Sequence, residues 1–318
     1  MMNYLNAYRR YACDVDRINT LARTPKEFIT AAETAFAEEI HFICEKIREH
    51  HCCIIMLSGP SGSGKTTTAQ KIREALEEYG KTTVTVSLDN FYLGADKVPR
   101  SADNKPDFES VYALDIPCIH RCLEDILEHR GRVTLPRYDF IHSRRSDETL
   151  TLNFDEDTIV VLEGIHALNP ILTDGLPSER TAKVYASVKQ GIKRGEETIL
   201  SNKDIRFVRR LVRDHAFRAS TPEYMLNMWE QVCAGEQNYI RPYRYHSDFT
   251  VNTIHIYEPC IMKAEAIPLL EQIPETHEQY AFIQRILNGL RQFESITQDC
   301  VPENSLIREF IGGGCYTY

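Results

Sequence analysis

The chain has 318 residues, with 46 Asp and Glu against 37 Lys and Arg, a net charge of −9, 42% hydrophobic residues and 26% charged ones. This length and balance suit a chain with a sizeable buried core and argue against a general nucleic-acid binder, which would carry a basic footprint. No apolar run approaches the ~20 residues that cross a bilayer. The opening MMNYLNAYRRYACDVD lacks the apolar block of a signal peptide, and the ten cysteines read as reduced thiols. The expectation is a soluble cytoplasmic protein with no membrane or nucleic-acid partner.

Residues 26–49 place apolar side chains at helical spacing and predict one amphipathic helix. Residues 53–58 predict a buried strand, 64–79 a helix and 82–88 (TTVTVSL) a second strand. A polar, proline-containing loop covers 93–110 and a helix 115–129. Two strand-like runs, RVTLPRYDF and ETLTLNF, flank HSRRSD. Apolar strands follow at 158–164 (TIVVLEG) and 182–188 (AKVYASV). From 191 to 218 the chain reads as helical and charged, 222–234 as helical, 248–253 as a late strand, and 276–318 as a helix-rich tail with a loose Gly312-Gly313-Gly314 end. Strands alternating with helices predict the α/β class, a mostly parallel sheet with helices on both faces. In such folds ligands gather at the carboxyl ends of the strands, which puts the loops after residues 58, 88 and 163 on one rim. The expected division is a helical extension over 1–50, a main domain over 51–273 and a helical tail over 274–318.

Gly59-Pro60-Ser61-Gly62-Ser63-Gly64-Lys65-Thr66 fits G-x-x-x-x-G-K-[ST], after a strand and opening a helix. Its glycines let backbone N–H groups turn inward around phosphate oxygens, and the helix start adds its positive end. Gly59, Ser61, Gly62, Ser63, Gly64, Lys65, Thr66 and Thr67 are therefore candidates for holding a nucleoside triphosphate. Lys65 would reach the outer phosphates and Thr66 would ligate Mg²⁺. Two weaker patterns carry less. His50-His51-Cys52-Cys53 suggests a metal, but adjacent residues at a strand start point to opposite faces. Asn104-Lys105-Pro106-Asp107 matches a guanine-reading tetrapeptide, but it sits in a polar loop rather than after an apolar strand.

Two acids end apolar strands, Asp89 and Glu163, and both strands are expected to flank the P-loop strand. With Thr66 they form the candidate Mg²⁺ set, and Asp89 could accept a proton from an attacking hydroxyl. Phe91 and Tyr92 beside it offer a flat surface to a ring-containing acceptor. Residues 203–218 hold six basic and two acidic residues. Arg206, Arg210 and Arg213 fall on one helix face, a pattern suited to closing over a transferring phosphoryl group. A solvated helix with internal pairs such as Arg210–Asp214 is the alternative.

Together SLDNFY (87–92), PDF (106–108), PRYDFIHSRR (136–145), VVLEGIHAL (160–168) and DIRFVRRLVRD (204–214) resemble the phosphoribulokinase/uridine kinase family of P-loop kinases over roughly residues 53–270, most closely its uridine–cytidine kinase branch. MLNMWEQVCAGEQNYIRPYRYHSD and NSLIREFIGGG resemble a bacterial group of uridine kinase-like proteins. The resemblance implies a P-loop NTPase/kinase fold with a β-hairpin over the acceptor site and a helical Arg-rich lid. It also implies an ATP- and Mg²⁺-dependent enzyme of pyrimidine salvage that phosphorylates the 5′-hydroxyl of uridine or cytidine, as a homo-oligomer. By the same resemblance Asp89 is the catalytic base and Glu163 the magnesium-side acid. Tyr92, Asp107 and Phe108 contact the acceptor, Tyr138 and His142 close over the base, and Arg206, Arg210 and Arg213 form the lid. Phe217-Arg218-Ala219-Ser220-Thr221 stands where that branch has an Arg-Gly-Arg type sequence. A sugar-phosphate or pantothenate-type kinase, with Arg137, Arg144 and Arg145 near the acceptor, and a non-catalytic nucleotide-binding module are the other readings.

Overall fold

A computed structural model of the chain describes residues 12–316 apart from 101–103, 105, 129, 130, 140, 141, 143 and 156. Lys105 of the guanine-like tetrapeptide and three residues at the tip of the 132–153 hairpin thus lie outside the described residues. The elements in chain order are α1 (Val15–Leu21), α2 (Pro25–Glu49), β1 (Ile54–Ser58), α3 (Lys65–Glu78), β2 (Thr82–Ser87), α4 (Ile116–Leu127), β3 (Arg132–Asp139) and β4 (Arg144–Asn153). They continue with β5 (Thr158–Glu163), α5 (Pro170–Thr173), β6 (Thr181–Ser187), β7 (Ile192–Arg194), β8 (Glu197–Leu200), α6 (Asn202–Arg218) and α7 (Pro222–Gly235). Last come β9 (Phe249–Asn252), α8 (Glu258–Leu270), α9 (Tyr280–Leu290) and α10 (Arg308–Ile311).

Five strands form one parallel sheet in the order β2-β5-β1-β6-β9, as the α/β reading requires. Every residue of β1 and β5 is buried, which is why both read as uninterrupted apolar runs. Alternation splits them between two cores. Ile55, Leu57, Val161 and Val184 meet α2, α3, α6 and α8 on one face. Ile54, Met56, Val160 and Leu162 meet α4 and the β3–β4 hairpin on the other. Cys52 and Cys53 divide the same way, one into each core. Helix α2 buries Phe28, Phe36, Ile40 and Ile47 in the same core as Ile72 and Leu76 of α3.

Three expectations need correction. The strand carrying Asp89 does not flank the P-loop strand: β5 lies between β1 and β2, pairing Glu163 with both Leu57 and Ser87. Residues 192–200 form a small antiparallel hairpin, not helix, because Gly195 turns in the left-handed region and helix α6 starts only at a capping box of Ser201 and Asp204. The Gly312–Gly314 stretch is not loose, since the Cys315 N–H donates to the Glu303 carbonyl at 2.9 Å and the Tyr316 hydroxyl to Glu74 at 2.6 Å. Among the described residues no helix is long and apolar enough to cross a membrane.

Candidate active site

The turn after β1 winds into α3 with Gly62 at φ 73° and Gly64 at φ 81°. A Cβ on Gly62 would lie 2.8 Å from the Arg206 carbonyl oxygen, so both the conformation and the close approach of α6 call for glycine. A Cβ on Gly59 would stand closer still to the Ala186 carbonyl oxygen, Ser63 is buried, and Thr67 donates its N–H and hydroxyl to Glu309. Helix α6 grips the loop through three arginines. Arg206 Nε donates to the Ser61 carbonyl at 3.0 Å, Arg209 Nη1 to the Gly62 carbonyl at 3.3 Å, and Arg210 Nη1 to Ser61 Oγ at 2.7 Å.

A cavity of about 200 Å³ opens on this turn. Ser61, Gly62, Gly64, Lys65 and Thr66 line it from the P-loop, Asp89 and Tyr92 from the end of β2, Glu163 from the end of β5, and Arg210 and Arg213 from α6. The two strand ends meet because Gly164 lets β5 approach Leu88, where a Cβ would lie 2.7 Å from the Leu88 Cβ. Burial pushes the Glu163 carboxyl up to about 7 against the pull of Lys65, and Asp89 is raised in the same way. Burial lowers Lys65, opposed by Glu163, Asp89 and Glu309.

The arginines of α6 do not act alike. Arg213 Nε donates to Asp214 at 2.7 Å, Arg210 Nε lies 3.3 Å from the same carboxylate and Arg218 Nη1 3.4 Å. Asp214 thus gathers three guanidinium groups at the cavity wall. Both features weighed in the sequence coexist: the ion pairs are internal, and the arginines still face the cavity. Arg206 turns away from it, paired with Glu236 at 2.8 Å. Its helical position matches Arg210 and Arg213, but its side chain reaches to the other side of the loop.

At the edge of the cavity Tyr92 stands edge-on to Phe108 and Tyr138, with ring centroids 5.6 and 5.7 Å apart, and its hydroxyl donates to the Phe108 carbonyl at 3.1 Å. Phe108 and Tyr138 therefore support Tyr92 rather than line the cavity. Asp107 accepts from the Tyr239 hydroxyl at 3.2 Å, and exposed His142 pairs with Asp139 at 2.6 Å. Arg145 is committed to Asp115 at 3.2 Å and to the Phe91 carbonyl at 3.3 Å, and Arg137 to Glu148.

Glu109, Gly164, Ile165 and Glu309 also line the cavity without motif spacing having singled them out, and Arg218, which the sequence places near the basic face of α6, joins them. Glu109 follows the PDF motif directly, and burial pushes its carboxyl up to about 7. Arg218 stands within the departure from the Arg-Gly-Arg pattern, so an arginine reaches the rim from a different frame. Glu309 lies in NSLIREFIGGG, with no local signal tying it to a site 242 residues earlier.

The residues fit a triphosphate and Mg²⁺. Gly62 admits no side chain beside the turn, and the P-loop presents a lysine and a helix start. Thr66, Asp89 and Glu163 add hard oxygen donors on the same cavity. Among the described residues no group of three or more His, Cys, Asp or Glu forms a metal centre. Kinase Mg²⁺, however, needs only one or two carboxylates beside phosphate oxygens and water.

Residues 54–176 match the model of the Phosphoribulokinase / Uridine kinase family. The chain is 30% identical over 199 residues to a uridine kinase of Lactobacillus helveticus, covering 62% of this chain and 85% of that one. It is 27% identical over 240 residues to a uridine kinase of Saccharomyces cerevisiae, covering 75% of this chain and 40% of that one. Among solved structures, a D-glycerate 3-kinase from Cryptococcus neoformans overlays with a TM-score of 0.32 at 18% identity, over 89% of this chain and 90% of that one. With 30% identity to the Lactobacillus helveticus uridine kinase over 85% of its length, and with the family model matching residues 54–176, the chain belongs to the phosphoribulokinase/uridine kinase family of kinases.

Proposed function

We propose that the protein transfers the γ-phosphoryl group of Mg·ATP to the 5′-hydroxyl of uridine, with cytidine as a second acceptor. The observation that carries this reading is the meeting of Lys65, Asp89, Glu163, Arg210 and Arg213 on one cavity with Tyr92 at its acceptor edge. ATP supplies the phosphoryl group, and Mg²⁺ neutralises charge on the phosphate oxygens. Thr66 and Glu163 would hold the metal, with Asp89 on its acceptor side. Asp89, whose carboxyl burial makes more basic against the pull of Lys65, is suited to take the proton from the attacking hydroxyl. Lys65, Arg210 and Arg213 shield charge on the transferring group, a task of positioning and electrostatics. Tyr92, braced by Phe108 and Tyr138, offers its ring to the acceptor. The reading with a phosphorylated acceptor is less well supported, because Arg137 and Arg145 are already paired with Glu148 and Asp115.

The test is a phosphotransfer assay with Mg·ATP against uridine, cytidine, adenosine, guanosine, ribulose 5-phosphate, pantothenate and water. Asp89→Asn runs beside the wild type. Turnover on uridine that drops on the order of 10²–10⁴-fold in the variant is expected, the usual worth of a general base. Turnover confined to another acceptor would reject uridine, and an unimpaired variant would remove Asp89 from the chemistry.

A further inference from the structure

The phosphate cradle is partly filled by the chain itself. After α9 the segment 302–311 runs back to the P-loop and buries Ser305, Leu306, Ile307 and Phe310 completely. Ser305 Oγ anchors it to Glu33 of α2 at 2.6 Å, and the Leu306 side chain covers Gly64, with Cδ1 2.7 Å from where a Cβ would stand. Next in line, the Glu309 carboxylate accepts from the Thr67 N–H at 3.1 Å and from the Thr67 hydroxyl at 2.8 Å. Its other oxygen lies 3.9 Å from Arg213 Nη1. The Phe310 ring lies 5.0 Å from the guanidinium of Arg209, which itself reaches the Gly62 carbonyl.

The Thr67 N–H is among the first N–H groups of α3, which have no partner within the helix. These are the donors that a helix start offers to phosphate. A carboxylate on that helix start takes the place that an anionic phosphate oxygen would occupy there. The cavity left beside it, about 200 Å³, is below the ~300–1,000 Å³ usual for ligand sites.

We propose that segment 302–311 is a tethered competitor of the donor nucleotide, with Glu309 holding the Thr67 end of the cradle until a triphosphate displaces its carboxylate. The proposal rests on the reading of this cradle as the donor site. Leu306, Ile307 and Phe310 fix the backbone, so the part that yields is the Glu309 side chain. Two anions cannot share the Thr67 donors, and apparent affinity for the nucleotide falls by the fraction of molecules in which the cradle is free.

The experiment is calorimetric titration of the full chain with Mg·ATP, comparing wild type, Glu309→Gln, Glu309→Asp and Lys65→Ala, each checked by thermal melting. Glutamine removes the charge at constant shape, and aspartate keeps the charge but withdraws it by one methylene, so either variant carries the test if the other does not fold. Both should bind Mg·ATP more tightly than wild type, by about tenfold, the worth of a charge-assisted contact. The KM for ATP should fall in step. Equal or weaker binding by the variants, with the wild type binding normally, would overturn the proposal alone and make Glu309 a permanent part of the cradle. Absence of binding by every variant, or binding untouched by Lys65→Ala, would overturn the donor-site reading and this proposal with it.

Discussion

Asp214 offers a sharp test of how the lid is held. It is 2% exposed and receives Arg213 at 2.7 Å, Arg210 at 3.3 Å and Arg218 at 3.4 Å. Asp214→Asn keeps the shape and one acceptor oxygen but removes the charge. The Arg213 hydrogen bond to a charged acceptor is worth ~1.5–3 kcal/mol against ~0.5–1.5 for a neutral one and so loses about 1 kcal/mol. The Arg210 ion pair, which has no hydrogen bond to Asp214, loses up to ~1 kcal/mol. Arg218, more than half exposed, adds little. The expected loss of stability is therefore about 2 kcal/mol by urea unfolding, visible as a lower midpoint at constant slope. Three positive groups left without their common partner would also spread apart. An arginine that shields a transferring phosphoryl group contributes ~10³–10⁵-fold, so with Arg210 and Arg213 in the role proposed for them, partial misplacement should lower kcat by about 10–100-fold. A cycle with Arg213→Met should show coupling above about 0.5 kcal/mol. Stability within ~0.5 kcal/mol of wild type, an unaltered kcat and additive variants would refute the claim that Asp214 holds the arginines in place.

Further outcomes follow from the packing. Gly164→Ala places a methyl 2.7 Å from the Leu88 Cβ and should cost about 1–3 kcal/mol in urea unfolding, with reduced turnover as Asp89 and Glu163 shift apart; an unaltered midpoint would contradict the close approach. Arg209→Met leaves Glu258, 1% exposed, as an unpaired buried charge and should cost roughly 3–5 kcal/mol, much of it regained in Arg209→Met/Glu258→Met. Failure of the double variant to regain stability would mean that the Arg209 contacts to Gly62 and Thr253 matter more than the pair. Glu109 titrates at about 7 in the folded chain against an ordinary value of 4.5. Between those values the folded chain keeps a proton that the unfolded chain has lost, so this contribution is full below the lower value and is lost as pH rises through the upper one. Glu109→Gln should remove roughly 1–3 kcal/mol of the fall in stability between about pH 5 and pH 8. An unchanged pH profile in urea would show that Glu109 is not held protonated.

Much of the local structure around the candidate donor site was legible in the chain. A glycine-rich turn between an apolar strand and a helix is a local object readable from residues 54–68, although α6 and Glu309 also hold it in place. The acids at the ends of apolar runs were legible for the same reason, because a strand's carboxyl end is where a parallel sheet presents its loops. The arginine helix was legible as a helix with a basic face, and Arg210 and Arg213 reach the cavity from it. Arg206 does not, since periodicity fixes the direction of a Cβ and not the end of a long side chain that finds Glu236 and the Ser61 carbonyl. The short hairpin at 192–200 was hidden because its strands are three and four residues long, too short for a period-2 pattern to stand out among charged residues.

Local spacing, then, determined the glycine-rich turn, the strands and their terminal acids, and the basic helix, because each is set by contacts within a few residues along the chain. The tertiary structure alone decided that β5 separates β1 from β2, that Asp214 draws three arginines together, and that Glu109 and Glu309 join the cavity. Those outcomes depend on which distant surfaces bury one another. The bond between Thr67 and Glu309 spans 242 positions, and it exists because Leu306, Ile307 and Phe310 are buried together against the P-loop face of the sheet.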